Sequence, residues 1–214
     1  MQKHVGKEDY MAIKLDMSKA YDRVKWSYLE SVMRWVGFTE RWITLLMLCV
    51  KTVSYSILVN GEPKGMIYPT RGIRQGDPLS PFLFLLCTEG LNGLINMAAD
   101  KDHIKGYALC RNSPRLTHLL FADDSLLFCR ATIQECQQVL NILETYGRCS
   151  GQRINKTKAT IFFSKSTPAE VKNHIKSALD VLVILQYEKY LGLPSLVGKN
   201  KKASFNYIKE RVWK

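Results

Sequence analysis

Leu116-Thr117-His118-Leu119-Leu120-Phe121-Ala122-Asp123-Asp124-Ser125-Leu126-Leu127-Phe128-Cys129-Arg130 sets two apolar arms, residues 116–122 and 125–130, on either side of an acid pair. Apolar runs of this length read as strands, and two short acidic residues between them read as the tip of a hairpin. Upstream, residues 11–15 form another short apolar segment that stops at Asp16. A helical period follows over 22–36, with Val24, Tyr28, Leu29, Val32, Met33 and Val36 on one side and Gly37 closing it. A second helix is expected from a Thr39 cap through Val50. Residues 53–59 alternate and run into Asn60-Gly61, the dipeptide that supplies the positive φ angles of a two-residue hairpin.

Arg71-Gly72-Ile73-Arg74-Gln75-Gly76-Asp77-Pro78-Leu79-Ser80-Pro81 is a basic loop, and residues 82–99 after it are apolar enough for a buried helix. Beyond the acidic hairpin, Thr132-Ile133-Gln134-Glu135 is a capping box; its helix carries Val139, Leu140, Ile142, Leu143 and Tyr146 and ends near Gly151. Residues 160–163 read as a strand. Thr167-Pro168-Ala169-Glu170 is a second capping box with Pro at the first helical position, and Tyr190-Leu191-Gly192-Leu193-Pro194 is a short extended piece. Setting aside the 53–69 hairpin, the order is βαββαβ. The expected fold is therefore α+β and ferredoxin-like, an antiparallel sheet with packed helices plus an inserted β-hairpin. This order brings the end of the first strand beside the central hairpin, so Asp16 should meet Asp123 and Asp124.

The chain has 214 residues, 46% of them hydrophobic and 23% charged, a globular composition with enough apolar mass for a core. Its longest apolar runs, near 43–50 and 81–87, are well short of the ~20 residues that cross a bilayer, so no membrane span or membrane partner is expected. The charged start, Met1-Gln2-Lys3-His4-Val5-Gly6-Lys7, has no apolar stretch of the kind a signal peptide needs. Six cysteines lack any C-x-x-C pair, which argues against a zinc site or a disulfide framework. Settings such as Leu48-Cys49-Val50 and Leu86-Cys87 suggest buried thiols in a reducing compartment, nucleus or cytoplasm. With 31 Lys+Arg against 19 Asp+Glu, a net charge of +12 makes a polyanion the first partner to consider.

Three ionised carboxylates close together repel, and either a proton or a cation must relieve them. Magnesium takes hard oxygen ligands and is usually held by one or two carboxylates, with water and substrate phosphates in its remaining positions. Two such ions ~3.5–4 Å apart can clamp the attacking and leaving oxygens of a phosphoryl displacement. An acid pair at a hairpin tip is also ordinary turn chemistry. The conjunction matters: a lone Asp16 at a strand end, the acid pair, a basic loop between them and a strongly positive chain.

The residues also carry a resemblance. Leu15-Asp16-Met17-Ser18-Lys19-Ala20-Tyr21-Asp22, the Arg71–Pro81 run, Phe121-Ala122-Asp123-Asp124, Gly151-Gln152-Arg153-Ile154-Asn155 with Lys158, and Tyr190–Pro194 resemble, in order, the motifs of a reverse transcriptase. Their spelling is most similar to the non-LTR (LINE-type) retrotransposon class, and within it to the plant elements. The resemblance implies a polymerase palm and RNA-directed DNA polymerase activity on an RNA template, a DNA primer and a deoxynucleoside triphosphate. It implies two Mg2+ ions, with Mn2+ as a substitute, held by Asp16, Asp123 and Asp124 with the Met17 carbonyl as a further ligand. Tyr21 would lie against the incoming sugar and exclude a ribose 2′-hydroxyl. Arg71, Gln75 and Gly76 would face the nucleotide and template, Lys158 would protonate the leaving pyrophosphate, and Tyr190, Leu191 and Gly192 would form the primer grip.

By the same resemblance, residues 1–164 would be a palm with partial fingers, the fingers hairpin lying at about 53–69. Residues 165–214 would be the palm end with the primer-grip region and the start of the thumb connection. The family pattern places a triphosphate-binding fingers region before Asp16, and a chain without it is expected to be incomplete for catalysis. The alternative expectation is a catalytically inactive, nucleic-acid-binding remnant of such a domain. The sequence leaves the protein partners unidentified.

Overall fold

The computed structural model describes residues 8–110, 113–121 and 124–180, and the backbone of 182–183, 189–190 and 193–194. In chain order the elements are β1 (Tyr10–Asp16), α1 (Ala20–Arg23), α2 (Trp26–Val36), α3 (Glu40–Lys51), β2 (Tyr55–Val59), β3 (Glu62–Ile67) and α4 (Ser80–Asp100). They continue as β4 (Tyr107–Ala108), β5 (Arg115–Leu116), β6 (His118–Phe121), β7 (Asp124–Arg130), α5 (Ile133–Ser150), β8 (Thr160–Phe163), α6 (Ala169–Leu179), β9 (Leu182–Val183), β10 (Lys189–Tyr190) and β11 (Leu193–Pro194).

The central sheet has strand order β6-β7-β1-β8-β9. Its first four strands are antiparallel, as expected, while β9 adds in parallel to β8 as a fifth strand that the sequence pattern did not suggest. Because side chains alternate along a strand, each strand sends its odd or even residues to one face. Met11, Ile13 and Leu15 of β1, Leu127 and Cys129 of β7, and Ile161 and Phe163 of β8 lie in register on one face, all buried in the core. Helices α2, α4 and α5 pack together beside that sheet through Leu29, Met33, Phe84, Leu91, Val139 and Tyr146. The opposite face is covered at the Tyr10 end, where Tyr107 meets Tyr10 edge-on at 5.2 Å and Arg115 donates to the Tyr10 hydroxyl. At the Asp16 end it is open. Hairpin β2–β3 stands apart with every residue exposed, and Asn60 and Gly61 at its turn both have positive φ.

Several elements differ from the sequence reading for identifiable reasons. The helix expected over 22–36 is two helices, because the Val24 carbonyl accepts from Gly72 N–H and Lys25 N–H donates to the Ser150 carbonyl, outside any helical ladder. The arm expected over 116–122 is interrupted at Thr117, whose carbonyl accepts from Phe128 N–H, and the hairpin tip, Ala122 and Asp123, lies outside the described residues. Only half of the first capping box forms. The Thr132 hydroxyl accepts from Glu135 N–H, but the Glu135 carboxylate turns away to accept from the backbone N–H groups of Lys105 and Arg130 and to pair with the Arg130 guanidinium. In the second, Pro168 precedes α6 instead of opening it, and the buried Thr167 hydroxyl pairs with Ser164. Cys49 is exposed, since α3 turns Ile43, Met47 and Val50 inward. Helix α4 spans 21 residues and is long and apolar enough to cross a bilayer, which counting its shorter apolar run missed; here its buried stripe belongs to the core.

The short helix α1 links the parts of the fold that matter below. On one side Gly72 and Ile73 donate backbone N–H groups to Val24 and Tyr21, and the Trp26 indole donates to the Gly72 carbonyl at 2.7 Å. On the other, the buried Gln152 amide donates to the Ala20 carbonyl at 2.7 Å, and the Lys25 ammonium donates to the Arg148 carbonyl at 2.8 Å. Gly151, at φ +86°, fits because a Cβ there would sit 2.4 Å from the Arg23 carbonyl oxygen.

Two outcomes are expected in thermal denaturation followed by circular dichroism. Gly61→Ala should cost only the ~1–2 kcal/mol of a left-handed alanine, its surroundings being open, whereas Gly151→Ala should lower Tm at least twice as far because the clash adds to the same strain. Glu135→Ala should cost about 3 kcal/mol, roughly 6–12 °C in Tm, by orphaning two backbone donors and a guanidinium, and Glu135→Gln should fall between it and wild type.

Candidate active site

The seven-pair ladder between β1 and β7 sets Asp16 directly opposite Asp124. Residues directly opposite in an antiparallel pair share a face, with Cβ atoms roughly 4.5–5.5 Å apart, so both carboxylates project onto the open face of the sheet. Lys14, two residues before Asp16, lies on the same face and places its Nζ 3.1 Å from Asp124 Oδ1. Lys158 approaches from the loop after α5 and places its Nζ 3.7 Å from Asp16 Oδ1. The acids are about one-fifth exposed (20% and 22%), Lys14 is 25% exposed and Lys158 is 67% exposed. The site is thus semi-enclosed, with one cation rooted in the sheet and one on a mobile-length side chain in solvent.

The loop that carries Lys158 is docked by backbone bonds on either side of Met17. Ser18 N–H donates to the Arg153 carbonyl and Asn155 N–H donates to the Asp16 carbonyl, both at 2.8 Å, and Met17 bridges to Ile154. Tyr21, half-buried, stacks on Phe84 with ring centroids 5.0 Å apart and planes 11° from parallel. Next to it the loop before α4 holds Arg71, Arg74, Gln75 and Gly76 in solvent, with Gly76 at φ +88°. Asp77 Oδ1 accepts from Leu79 N–H and so shapes the entry to α4. The open face near the acids also carries Leu119 and Phe121 of β6, both exposed, with Phe121 opposite Asp124 in register.

Asp16, Asp124, Met17 and Lys158 thus come together, while Tyr21 and the Arg71–Gly76 loop are joined to each other at α1. Asp123, Leu191 and Gly192 lie outside the described residues, and Tyr190 is described only by its backbone, paired with Leu193. Among the described residues no group of three His, Cys, Asp or Glu side chains gathers. The pair that is described still fits a hard divalent ion in its chemistry. Two carboxylates lie side by side on one partly enclosed sheet face, and each draws an ammonium within 4 Å, so the pocket is already organised around positive charge. Sequence reasoning missed Lys14, Trp26 and Gln152. Lys14 had a signal, a lone cation in an otherwise apolar strand two residues from Asp16; Gln152 lay inside the Gly151–Asn155 motif with no role of its own, and the half-buried Trp26 had no signal.

Comparison with known proteins bears on the fold and the family. Two solved telomerase structures from Candida tropicalis share the fold. One is the apo protein truncated from its C-terminal domain (TM-score 0.58, 13% identity, 78% of this chain and 33% of that one). The other is in complex with a fragment of telomeric RNA (TM-score 0.59, 11% identity, 77% and 27%). An uncharacterized mitochondrial protein of Arabidopsis thaliana is 54% identical over 68 residues, 32% of this chain and 56% of that protein. The retrovirus-related Pol polyprotein from the type-1 retrotransposable element R2 of Popillia japonica is 31% identical over 152 residues, 70% of this chain and 23% of that protein. The chain therefore spans 56% and 23% of the lengths of these two relatives. Residues 2–207 match the family described as reverse transcriptase (RNA-dependent DNA polymerase), and the chain belongs to that family, on the side of the non-LTR retrotransposon Pol proteins.

Proposed function

We propose that this domain performs RNA-directed DNA synthesis, extending a DNA primer on an RNA template by nucleotidyl transfer from a deoxynucleoside triphosphate. The observation that carries the reading is the register pairing of Asp16 with Asp124 on an open sheet face, beside two loops tied to α1. The antiparallel order β6-β7-β1-β8 is read as the ferredoxin-like polymerase palm, with residues 1–164 as palm and partial fingers and 165–214 as palm end and thumb connection.

Asp16, Asp123 and Asp124, with the Met17 carbonyl, hold two Mg2+ ions, or Mn2+ in their place. Bound there, such ions supply Lewis-acid activation of a primer 3′-hydroxyl and neutralise charge on the leaving pyrophosphate. The remaining roles fall to side chains. Tyr21 is held by Phe84 as a fixed wall against the 2′ position of the incoming sugar. Arg71, Gln75 and Gly76 face the nucleotide and template, where Gly76 lets backbone approach closely and the Gln75 amide can hydrogen-bond. Lys158 is within reach of the acids and free to swing, as a proton donor to pyrophosphate must be. Tyr190, Leu191 and Gly192 hold the primer end.

Primer extension on an RNA template with an annealed DNA oligonucleotide tests the proposal. Asp16→Asn and Asp123→Asn should each reduce extension at least ~1,000-fold while template binding persists, since each loses an ion ligand. Lys158→Ala should slow single-turnover extension about 100-fold with little change in template affinity. A wild-type chain that binds template yet extends no primer would instead identify a nucleic-acid-binding remnant.

A further inference from the structure

The two ammonium groups at the acids differ in kind. Lys158 is 67% exposed and reaches Asp16 from a loop at 3.7 Å, so leaving costs it little. Lys14 is rooted in the middle of the sheet: its backbone is paired with Leu126 of β7 on one side and Thr160 of β8 on the other. Its Nζ reaches diagonally across the ladder to Asp124 Oδ1 at 3.1 Å, and both side chains are three-quarters or more buried. A charge rooted in this way has less room to withdraw than Lys158 when another cation arrives.

Two opposing effects follow. The ammonium offsets the repulsion between Asp16 and Asp124 and fixes the Asp124 carboxylate against the sheet, which favours assembly of the empty pocket. It also occupies a carboxylate oxygen and repels any divalent ion a few ångströms away, and in a semi-enclosed site that repulsion is not fully screened. We propose that Lys14 is a positioning residue that holds Asp124 in place and in doing so keeps divalent-ion affinity at the Asp16–Asp124 pair weak. This inference rests on the reading of that pair as an ion site.

A purely structural lysine and a competing one predict opposite signs. The full chain is titrated with Mn2+ while the free-ion electron paramagnetic resonance signal is followed, for wild type, Lys14→Met, Lys14→Gln, Lys14→Arg and Asp16→Asn, with thermal denaturation as a check on folding. Lys14→Met and Lys14→Gln should bind Mn2+ about tenfold more tightly than wild type even though their Tm falls, and Lys14→Arg should stay within about twofold of wild type. Unchanged or weaker Mn2+ binding in folded Lys14→Met or Lys14→Gln would overturn the proposal and leave the ion site standing. Mn2+ binding that Asp16→Asn does not diminish, in wild type and in Lys14→Met alike, would remove the ion site itself.

Discussion

The register of β1 against β7 is the constraint from which the site descends. Antiparallel pairing fixes Asp16 opposite Asp124 and, by the same ladder, Met11 opposite Cys129 and Ile13 opposite Leu127. The apolar pairs are fully buried and the acidic pair sits at the open end, so one registration satisfies both. Sliding either strand by one residue would turn the acids toward the core and Ile13 toward water, and the cost of burying charge makes that alternative inaccessible. The hydrophobic core thereby enforces the geometry of the polar pair at its edge.

Helix α1 performs a second kind of coupling. Four residues long, it has too few internal hydrogen bonds to define its own position, and a helix of that length is not stable alone. Its place comes from neighbours: the Gly72 loop on one side and the 148–153 segment on the other. Because Tyr21 lies on α1, the loop bearing Gln75 and Gly76 and the loop bearing Lys158 are referenced to the same short piece of backbone. Gly72 and Gly151 are the two points where that backbone comes too close for a Cβ, 2.9 Å and 2.4 Å from the carbonyl oxygens of Asp22 and Arg23. Positioning by backbone contact is stiff, as the proposed chemistry would require if reacting atoms are to be held to fractions of an ångström.

What the sequence made legible, and what it hid, divides along the range of the interactions. Local signals were sound: Asn60-Gly61 closes a hairpin, Thr132 and Gly151 bound α5, and the four antiparallel strands appear where alternation and apolar runs put them. Motif order likewise pointed to the reverse transcriptase family before any coordinates. Features decided by distant partners were not readable. The break between α1 and α2 depends on Gly72 and Ser150, far along the chain, while local periodicity runs straight through it. The Glu135 side chain looked like half of a capping box because Thr132 precedes it by three, but the backbone N–H of Lys105, thirty residues away, competes for the same carboxylate. Parallel strand β9 is two residues long, too short for any periodicity to declare itself.

The proposed function gives a reason for the sign of the charge at the site that composition alone leaves ambiguous. A chain of net charge +12 attracts a polyanion to its surface, but uniform positive potential would bind phosphates without selecting any reaction. Placing carboxylates at the reacting point creates a minimum that phosphates avoid unless a divalent ion intervenes. The protein meets the cost of those carboxylates in the meantime from its own lysines, one built into β1 and one on a tether. Exposed Lys19, Lys25, Arg148 and Arg153 lie around α1, on the same segments that carry Tyr21 and Lys158. Under the proposed function, an acidic point inside a basic surround would separate two jobs that one sign of charge cannot do together, holding the nucleic acid and activating its terminus.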